Sequence, residues 1–241
     1  MPPPPLSPLG RVALAAGASL TALLHPQRAD LVAVAGELTG TPALRALATR
    51  LATTPSAAGL LAAAPPRFPP RGDEDLRSWA ELPAGRLGRA YADFMGARRF
   101  SADARPEVRW VAGRDAAETT HLTWLMQRYV DTHDMGHVLT GLPTTVAGEL
   151  GVKAWEAATT GLPSAVAAVV LGGARLPPAQ RVALWGGLVP WAVRVGGRAT
   201  VGVGIPYEEW MEVPLDECRA AWGVELPPPE LVAAVAVRRR R

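Results

Sequence analysis

Apolar residues recur at helical spacing along most of the chain, and the strict alternation typical of half-buried strands is scarce. Gly and Pro separate these apolar stretches and mark where helices end. Helices are predicted over residues 9–24, 28–38, 41–53, 56–63, 76–82, 87–98, 116–140, 144–160, 164–171, 179–195 and 207–222. The pattern therefore predicts an all-α fold in a single multi-helix domain.

The two ends of the chain differ from this helical body. Residues 1–8 are Pro-rich and are predicted to be disordered, residues 9–229 to form the all-α domain, and residues 230–241 to form a C-terminal segment with a basic tail. Four arginines close the tail at 238–241, with no aromatic residues between them. Nucleic-acid binding is therefore not predicted, because a binding patch usually combines basic and aromatic side chains.

Composition supports the helical prediction, and it argues against an internal disulfide and a membrane span. Hydrophobic residues make up 49% of the chain and charged residues 20%, with Ala and Leu prominent, which favours helices. Cys218 is the only cysteine, so no internal disulfide can form. The charge-free stretch at 157–174 is interrupted by Thr, Gly, Pro and Ser, and predicts a buried or membrane-grazing helix with no membrane span.

Candidate chemistry is concentrated in one stretch near the middle of the chain. On a helix, His133 and His137 stand one turn apart on the same face, with Asp134 beside them. Gly141 and Pro143 then stop the helix and permit a reversal. An antiparallel helix pair is therefore predicted here.

The returning helix brings a further carboxylate, Glu149, to the level of the histidines. At a rise of about 1.5 Å per residue, His133, His137 and Glu149 lie within about 3 Å of one level. Buried imidazoles and carboxylates need a shared cation or a closed hydrogen-bond network. Nitrogen and oxygen ligands without thiolates suit zinc, ferrous iron or manganese. The alternative is that both histidines are core or capping residues bonded to nearby carbonyls.

The stretch over residues 130–143 and the Glu149 that follows it resemble the fourth ubiquinone (coenzyme Q) biosynthesis protein family. That family's hallmark is His-Asp, two residues, His, eleven residues and Glu, and the spacing here matches it in full. Further segments are similar to family segments, so that the resemblance covers about 9–225; they lie at 29–40, 82–95, 105–109, 125–129 and 191–208.

The resemblance implies an α-helical fold, a divalent metal usually described as zinc, and a role in ubiquinone assembly on a membrane surface. The implied metal ligands are His133, Asp134, His137 and Glu149. The implied reaction is an oxidative decarboxylation, in which a hydroxyl replaces the C1 carboxyl of a polyprenylated benzoate precursor. The implied partners are that quinone precursor or another lipid, other ubiquinone-biosynthesis proteins, and a peripheral membrane surface. A homo-oligomer is also expected.

Three readings of the metal follow. In the first, the metal keeps open positions and catalyses the decarboxylation, with Arg128 steering the substrate carboxylate, although a surface ion pair would explain Arg128 equally well. In the second, the protein is a lipid-binding scaffold with a structural metal. In the third, it is a zincin-like hydrolase with Asp134 as general base. The first residues show no Arg/Ser-rich amphipathic leader, which predicts a bacterial cytoplasmic location with membrane association.

Overall fold

A computed structural model describes residues 29–65, 67–200 and 202–237, together with residues 7, 9, 10, 13, 14, 17, 18 and 21. The regular structure in these ranges is helical, apart from an isolated antiparallel bridge between Arg86 and Pro214. The predicted all-α class is therefore confirmed. Most of the helix predicted at 9–24, the Pro-rich residues 1–6 and the arginines at 238–241 lie outside the described residues.

The helices are numbered here in chain order. They are α1 (Ala29–Thr39), α2 (Thr41–Leu51), α3 (Pro55–Ala63), α4 (Asp73–Trp79), α5 (Leu87–Arg98), α6 (Ala116–Asp131), α7 (His133–Thr140), α8 (Val146–Thr160), α9 (Pro163–Gly173), α10 (Pro178–Ala183), α11 (Val189–Gly196), α12 (Leu215–Trp222) and α13 (Pro229–Ala236). A π-helical turn, Leu184–Leu188, joins α10 to α11, and short 3₁₀ turns lie at Gly202–Gly204 and Tyr207–Glu209.

Helix α8 lies at the centre of the larger hydrophobic core and packs against α9, α11 and α13. Small residues allow these close approaches. A Cβ on Gly151 would lie 3.0 Å from a methyl of Leu188, and a Cβ on Gly196 would lie 2.7 Å from that of Ala158. A second core joins α2 to α6 through Leu44, Leu47, Leu122 and Leu125, among others. The α6–α7–α8 segment therefore runs from one core into the other.

Helices α7 and α8 form the antiparallel pair that the sequence predicts. Gly141 ends α7 with φ of +69°, a conformation that favours glycine, and its N–H donates to the His137 carbonyl at 2.8 Å. The Thr145 hydroxyl then caps α8 by accepting from the Gly148 N–H at 3.2 Å. Between the helices, Gly136 leaves room for Val152 and Trp155. The side chains of His133 and His137 thus face α8.

The single long helix predicted over 116–140 is wrong, because the chain breaks at Thr132. Thr132 has φ of −92° and ψ of 3°, and its hydroxyl donates to the Arg128 carbonyl at 2.7 Å. Such bonding of a Thr side chain back to the preceding turn bends helices. The break lets Asp131 turn to Arg67, whose Nε donates to it at 2.8 Å. His133 therefore begins a new helix.

The helix predicted over 179–195 is present as a continuous helical segment, but it contains a π-helical turn between α10 and α11. The N–H of Val189 donates to the Leu184 carbonyl five residues back, which defines the π-helical turn. Pro190 follows at once; proline lacks an N–H, and in an α-helix its ring clashes with the carbonyl four residues earlier. The wider turn removes this conflict and lets the chain continue as α11.

The helix predicted over 207–222 is shorter than expected, and a last helix was not predicted. Pro214 stands at the N-cap of α12, so that residues 207–213 form a 3₁₀ turn and a loop. Helix α13 begins at Pro229, where proline suits the first helical turn, and it buries Val235 fully. This helix packs against α8 and α10.

Replacing Gly148 by alanine should loosen the turn between α7 and α8. An added Cβ would lie 2.0 Å from the carbonyl oxygen of Pro143, so the backbone must shift. We expect Gly148→Ala to lower the free energy of unfolding by about 1–3 kcal/mol, the usual cost of overpacking. Thermal and urea unfolding measure this loss.

Gly96→Ala is the matched control, because no atom beyond the adjacent backbone of α5 lies within 4 Å of its added Cβ. It should leave stability unchanged or raise it by up to about 1 kcal/mol, as alanine favours helix. Equal stability of the Gly148→Ala protein and the wild type would contradict the packing described for this turn.

Candidate metal centre

Two histidines of α7 and one glutamate of α8 bring their ligand atoms together. His133 Nε2 lies 3.3 Å from Glu149 Oε2, and His137 Nε2 lies 3.1 Å from Glu149 Oε1. The two imidazole rings are nearly perpendicular, at 85°, with centroids 5.3 Å apart. One ligand atom from each of the three residues lies within 4.8 Å of the other two. The helix pair thus creates a point at which two nitrogens and a carboxylate converge.

The hydrogen bond on the far side of His137 determines what its near side can bind. His137 Nδ1 lies 2.9 Å from the Leu142 carbonyl oxygen, which only accepts, so Nδ1 carries the proton. Nε2 then presents a lone pair to the carboxylate of Glu149, and this buried atom has no hydrogen-bond donor. Two acceptors at 3.1 Å repel each other unless a positive charge lies between them. The arrangement fits a cation.

His133 is held from behind in a similar way, but by a side chain. Its Nδ1 lies 2.6 Å from Oε1 of Glu156. Burial raises the pKa of the Glu156 carboxyl, but the charges of Lys153 and His133 outweigh burial and lower that pKa to about 2. Glu156 is therefore an anion at neutral pH. Both imidazoles thus turn Nε2 towards Glu149.

Glu149 itself is the open side of the group. Its side chain is 37% exposed, against 15% for His133 and 0% for His137. Burial raises the pKa of the Glu149 carboxyl, but hydrogen bonds from His133 and His137, and the positive charge of these rings when they are protonated, outweigh burial and hold that pKa well below the usual range when no metal ion is bound. The carboxylate is therefore ionised and available as a ligand.

Two imidazole nitrogens and one carboxylate are a donor set that divalent zinc, ferrous iron and manganese all accept. Three protein ligands do not complete a tetrahedral or octahedral shell, so water or a substrate can take the remaining positions. The predicted convergence of His133, His137 and Glu149 is thus a possible binding group for a divalent metal.

Asp134, the fourth ligand implied by the sequence, lies outside this group. Its carboxylate forms an ion pair with Arg105, in the loop before α6, and is buried. As the residue after His133 it points about 100° away around the helix. The ion pair with Arg105 also engages the carboxylate that a zincin-like hydrolase would use as its general base.

Arg128, the residue predicted to steer a substrate carboxylate, is buried and already bonded. Its guanidinium pairs with Glu208 and donates to the Ile205 carbonyl oxygen at 2.7 Å. These contacts tie α6 to the segment after α11. A surface ion pair, the alternative weighed from the sequence, does not describe this side chain, because it is 2% exposed.

Sequence reasoning missed the group behind His133, which consists of Tyr129, Lys153 and Glu156. Its spacing contains a signal. Tyr129 precedes His133 by four residues, and Lys153 and Glu156 follow Glu149 by four and seven, which is the spacing of residues that share a helical face. Spacing alone, however, does not show that the two faces oppose each other.

Comparison with known proteins adds an independent line of evidence. A family model described as "Coenzyme Q (ubiquinone) biosynthesis protein Coq4" matches residues 3–228. The chain is 38% identical to the mitochondrial ubiquinone biosynthesis protein COQ4 homologue of Danio rerio, over 96% of this chain and 82% of that protein. It is also 38% identical to the Homo sapiens homologue, over 93% and 82%.

A solved structure supports the fold. The crystal structure of a Nostoc punctiforme protein, described as a candidate ubiquinone biosynthesis protein, matches with a TM-score of 0.66. The match covers 88% of this chain and 98% of that one, at 23% sequence identity. At this identity the likeness concerns the fold alone.

The predicted bacterial cytoplasmic location is contradicted by these relatives, which are named as mitochondrial proteins. The prediction relied on the composition of the first residues, and a targeting segment is separate from the folded domain. Within the part of the chain that the structure describes, no helix has the length and apolar character needed to cross a bilayer.

The metal centre can be tested by titrating the purified, metal-free protein with Zn²⁺. We expect one Zn²⁺ per chain. Glu149→Gln should weaken Zn²⁺ binding by more than about 100-fold. Loss of a group that only supports a ligand lowers metal affinity by roughly 10–100-fold, and loss of the ligand itself lowers it further. Glu209→Gln, an exposed glutamate in a 3₁₀ turn, is the matched control and should bind as the wild type does.

Asp134→Asn distinguishes a three-ligand from a four-ligand site in the same titration. With Asp134 paired to Arg105, this variant should lose about 1–2 kcal/mol of stability and keep its Zn²⁺ affinity within a few-fold. A loss of affinity as large as that of Glu149→Gln would instead make Asp134 a ligand. A wild-type protein that binds no divalent cation would contradict the metal centre itself.

Proposed function

The chain belongs to the family of coenzyme Q (ubiquinone) biosynthesis protein Coq4, and from this we propose that it replaces the C1 carboxyl of a polyprenylated hydroxybenzoate by a hydroxyl, using a bound divalent cation. A role in ubiquinone biosynthesis follows from membership of the family. The proposal adds the reaction and its dependence on the cation.

The overall reaction defines what has to be supplied from outside the chain. The carbon–carbon bond between the ring and the carboxyl breaks, and carbon dioxide leaves. A carbon–oxygen bond forms at the same ring carbon, with the oxygen atom taken from dioxygen. The second oxygen atom becomes water, which consumes two electrons and two protons. A two-electron donor therefore accompanies dioxygen as co-substrate.

The observation that carries the proposal is the incomplete ligand set of His133, His137 and Glu149. A site for structural zinc normally closes with four protein ligands, whereas catalytic sites keep positions open. Two histidines and one carboxylate with open positions are also the ligands of non-haem ferrous oxygenases. The partial exposure of Glu149 leaves those positions accessible from the surface.

Each residue of the group has a defined task in this proposal. A bound divalent cation supplies Lewis acidity and, when it is ferrous iron, access to dioxygen chemistry. His137 provides a lone pair fixed by the Leu142 carbonyl, and His133 one fixed by Glu156. Glu149 lowers the net charge of the site. These side chains need little reorganisation, because their far sides are already bonded.

Asp134 and Arg128 have indirect roles in the proposal. Asp134 pairs with Arg105, and this ion pair connects the start of α7 to the loop before α6. Metal binding by Asp134 as a fourth ligand stays a prediction. Substrate binding by Arg128 also stays a prediction. Contact with a substrate carboxylate would require its guanidinium to exchange Glu208 for the substrate.

A lipid partner is supported by apolar side chains that remain exposed on neighbouring helices. They are Val166, Val170 and Leu171 on α9, with Val182, Trp185 and Val193 along α10, the π-turn and α11. The residues of α9 form one apolar strip, and those of α10, the π-turn and α11 form a second. Trp185 of the second strip lies against Gly173 at the end of α9, so the two strips meet there. Exposed apolar strips of this kind mark contact with lipid or with another protein. We propose that they contact a membrane surface or the polyprenyl chain.

The same strips favour a second candidate function, a non-catalytic scaffold that holds lipid intermediates for other ubiquinone-biosynthesis proteins. In that reading the cation braces α7 against α8. Self-association into a homo-oligomer is compatible with either function and stays a prediction.

Expression in cells that lack their own family member tests the reaction. The wild-type chain should restore ubiquinone, whereas Glu149→Gln should leave the carboxylated polyprenyl precursor to accumulate, because the cation is lost. Mass spectrometry of the quinone pool measures both compounds, and Glu209→Gln serves as the control. Full C1 decarboxylation by a Glu149→Gln protein present at wild-type level would support the scaffold and overturn the catalytic proposal.

Binding to phospholipid vesicles tests the apolar strips. Val166→Asp combined with Val170→Asp should reduce sedimentation of the protein with phosphatidylcholine vesicles that contain an anionic phospholipid by about tenfold or more. Each valine is about half exposed, so burying the rest of it in the membrane contributes about half of the roughly 1.5–3 kcal/mol that full burial would contribute. Val146→Asp is the control; this valine is exposed as well, and to a greater degree, at the start of α8, where an acidic residue is tolerated. Undiminished sedimentation would exclude α9 as the contact.

A further inference from the structure

A largely buried polar cluster lies directly behind the proposed metal centre, and so far only its Glu156 has been given a part in the proposed function. It consists of Tyr129 at the end of α6 and of Lys153 and Glu156 on α8. We propose that Glu156, held by Lys153 and Tyr129, is the positioning residue that keeps the proton of His133 on Nδ1, so that Nε2 remains free to bind the cation. The inference deepens the proposed function and rests on its cation site.

The contacts divide the carboxylate of Glu156 into two functional halves. Oε1 faces His133 Nδ1 at 2.6 Å. Oε2 accepts from the Tyr129 hydroxyl at 2.7 Å and from Lys153 Nζ at 2.7 Å. Because Glu156 is 4% exposed, water does not compete for these bonds. One oxygen is therefore fixed by donors, and the other is directed at the imidazole.

Lys153 explains why the charge of Glu156 matters for His133. Lys153 Nζ lies 3.2 Å from His133 Nδ1, within hydrogen-bond distance, and an ammonium group can only donate. Two forms of a neutral His133 are thus available. Either Nδ1 donates to Glu156 and Nε2 is a free acceptor, or Nδ1 accepts from Lys153 and Nε2 carries the proton. Only the first form can bind a metal ion.

Glu156 selects the first form in two ways. Its Oε1 attracts the Nδ1 proton in a short, charge-assisted hydrogen bond. Its Oε2 binds the ammonium group of Lys153 at 2.7 Å, closer than the ammonium is to the imidazole. Without that carboxylate, Lys153 would become the donor to Nδ1. The metal-binding state of His133 therefore depends on a residue two turns away from the ligand Glu149.

His137 does not share this dependence, because a backbone carbonyl holds its Nδ1 proton. Changes at Glu156 should consequently affect one imidazole and leave the other as an internal reference. This asymmetry separates a positioning role from a merely structural one. General loosening of the fold would alter both rings alike.

The test is Glu156→Gln, examined in two ways. Titration with Zn²⁺ should show about 10–100-fold weaker binding, the usual cost of losing the partner of a metal-bound histidine. Nitrogen NMR of the metal-free protein at alkaline pH should show the His133 proton on Nδ1 in the wild type and on Nε2 in the variant. His137 should keep its proton on Nδ1 in both.

Two further variants make the test specific. Thr159→Val removes a buried hydroxyl that donates to the backbone carbonyls of Trp155 and Glu156 but does not touch the Glu156 carboxylate, so it should change neither the affinity nor the tautomer of His133. Glu156→Gln combined with Lys153→Met removes the competing donor as well. The Gln oxygen can then accept from Nδ1, so this double variant should recover part of the affinity, and it also serves if the single variant does not fold.

The outcomes separate this inference from the proposed function. A wild-type protein that binds no Zn²⁺ overturns the cation site, while the NMR experiment on the metal-free protein still decides the role of Glu156. Wild-type Zn²⁺ affinity and an unchanged His133 tautomer in Glu156→Gln overturn the positioning role alone. Weaker binding with an equal change at both histidines also overturns it.

Discussion

The structure depends on one electrostatic constraint, the placement of a carboxylate opposite two imidazole lone pairs between packed helices. His137 cannot relieve the conflict by exchanging its proton, because the Leu142 carbonyl holds it on the far side. Neighbouring features fit this constraint. Gly141 and Gly148 allow the tight reversal that brings Glu149 to the histidines, and Gly136 lets the two helices approach each other. Packing thus enforces a charge arrangement that a cation stabilises.

The acidic residues around this point are divided between two tasks. Asp131, Asp134 and Glu208 each pair with an arginine, namely Arg67, Arg105 and Arg128. These ion pairs fasten loops to α6 and α7 and leave little free charge on the carboxylates. The two oxygens of Glu149, in contrast, each face an imidazole nitrogen. The arginines therefore determine which carboxylate remains available as a ligand.

Local spacing was sufficient to predict the placement of the two histidines on one helical face and the reversal that follows them. Histidines one turn apart, followed by Gly141 and Pro143, define a helix, its end and the direction of return. Asp134 shows the limit of this reasoning, since its partner Arg105 lies twenty-nine residues earlier in the chain and no periodicity links them. The break at Thr132 depends on a side chain that bonds its own backbone, and the π-helical turn on accommodating Pro190 within a buried helix. At both places the chain can adopt two local conformations of similar free energy, and tertiary packing determines which one forms.

The graded exposure of the three candidate ligand side chains would have a kinetic consequence for a bound cation. His137 is sealed beneath the helix pair, His133 is nearly so, and Glu149 reaches the surface. An incoming ion would meet the carboxylate first and exchange its hydration shell stepwise on the way to the innermost nitrogen. Departure would follow the reverse order, so the residence time of a bound cation would depend on the release of Glu149, the most exposed of the three side chains.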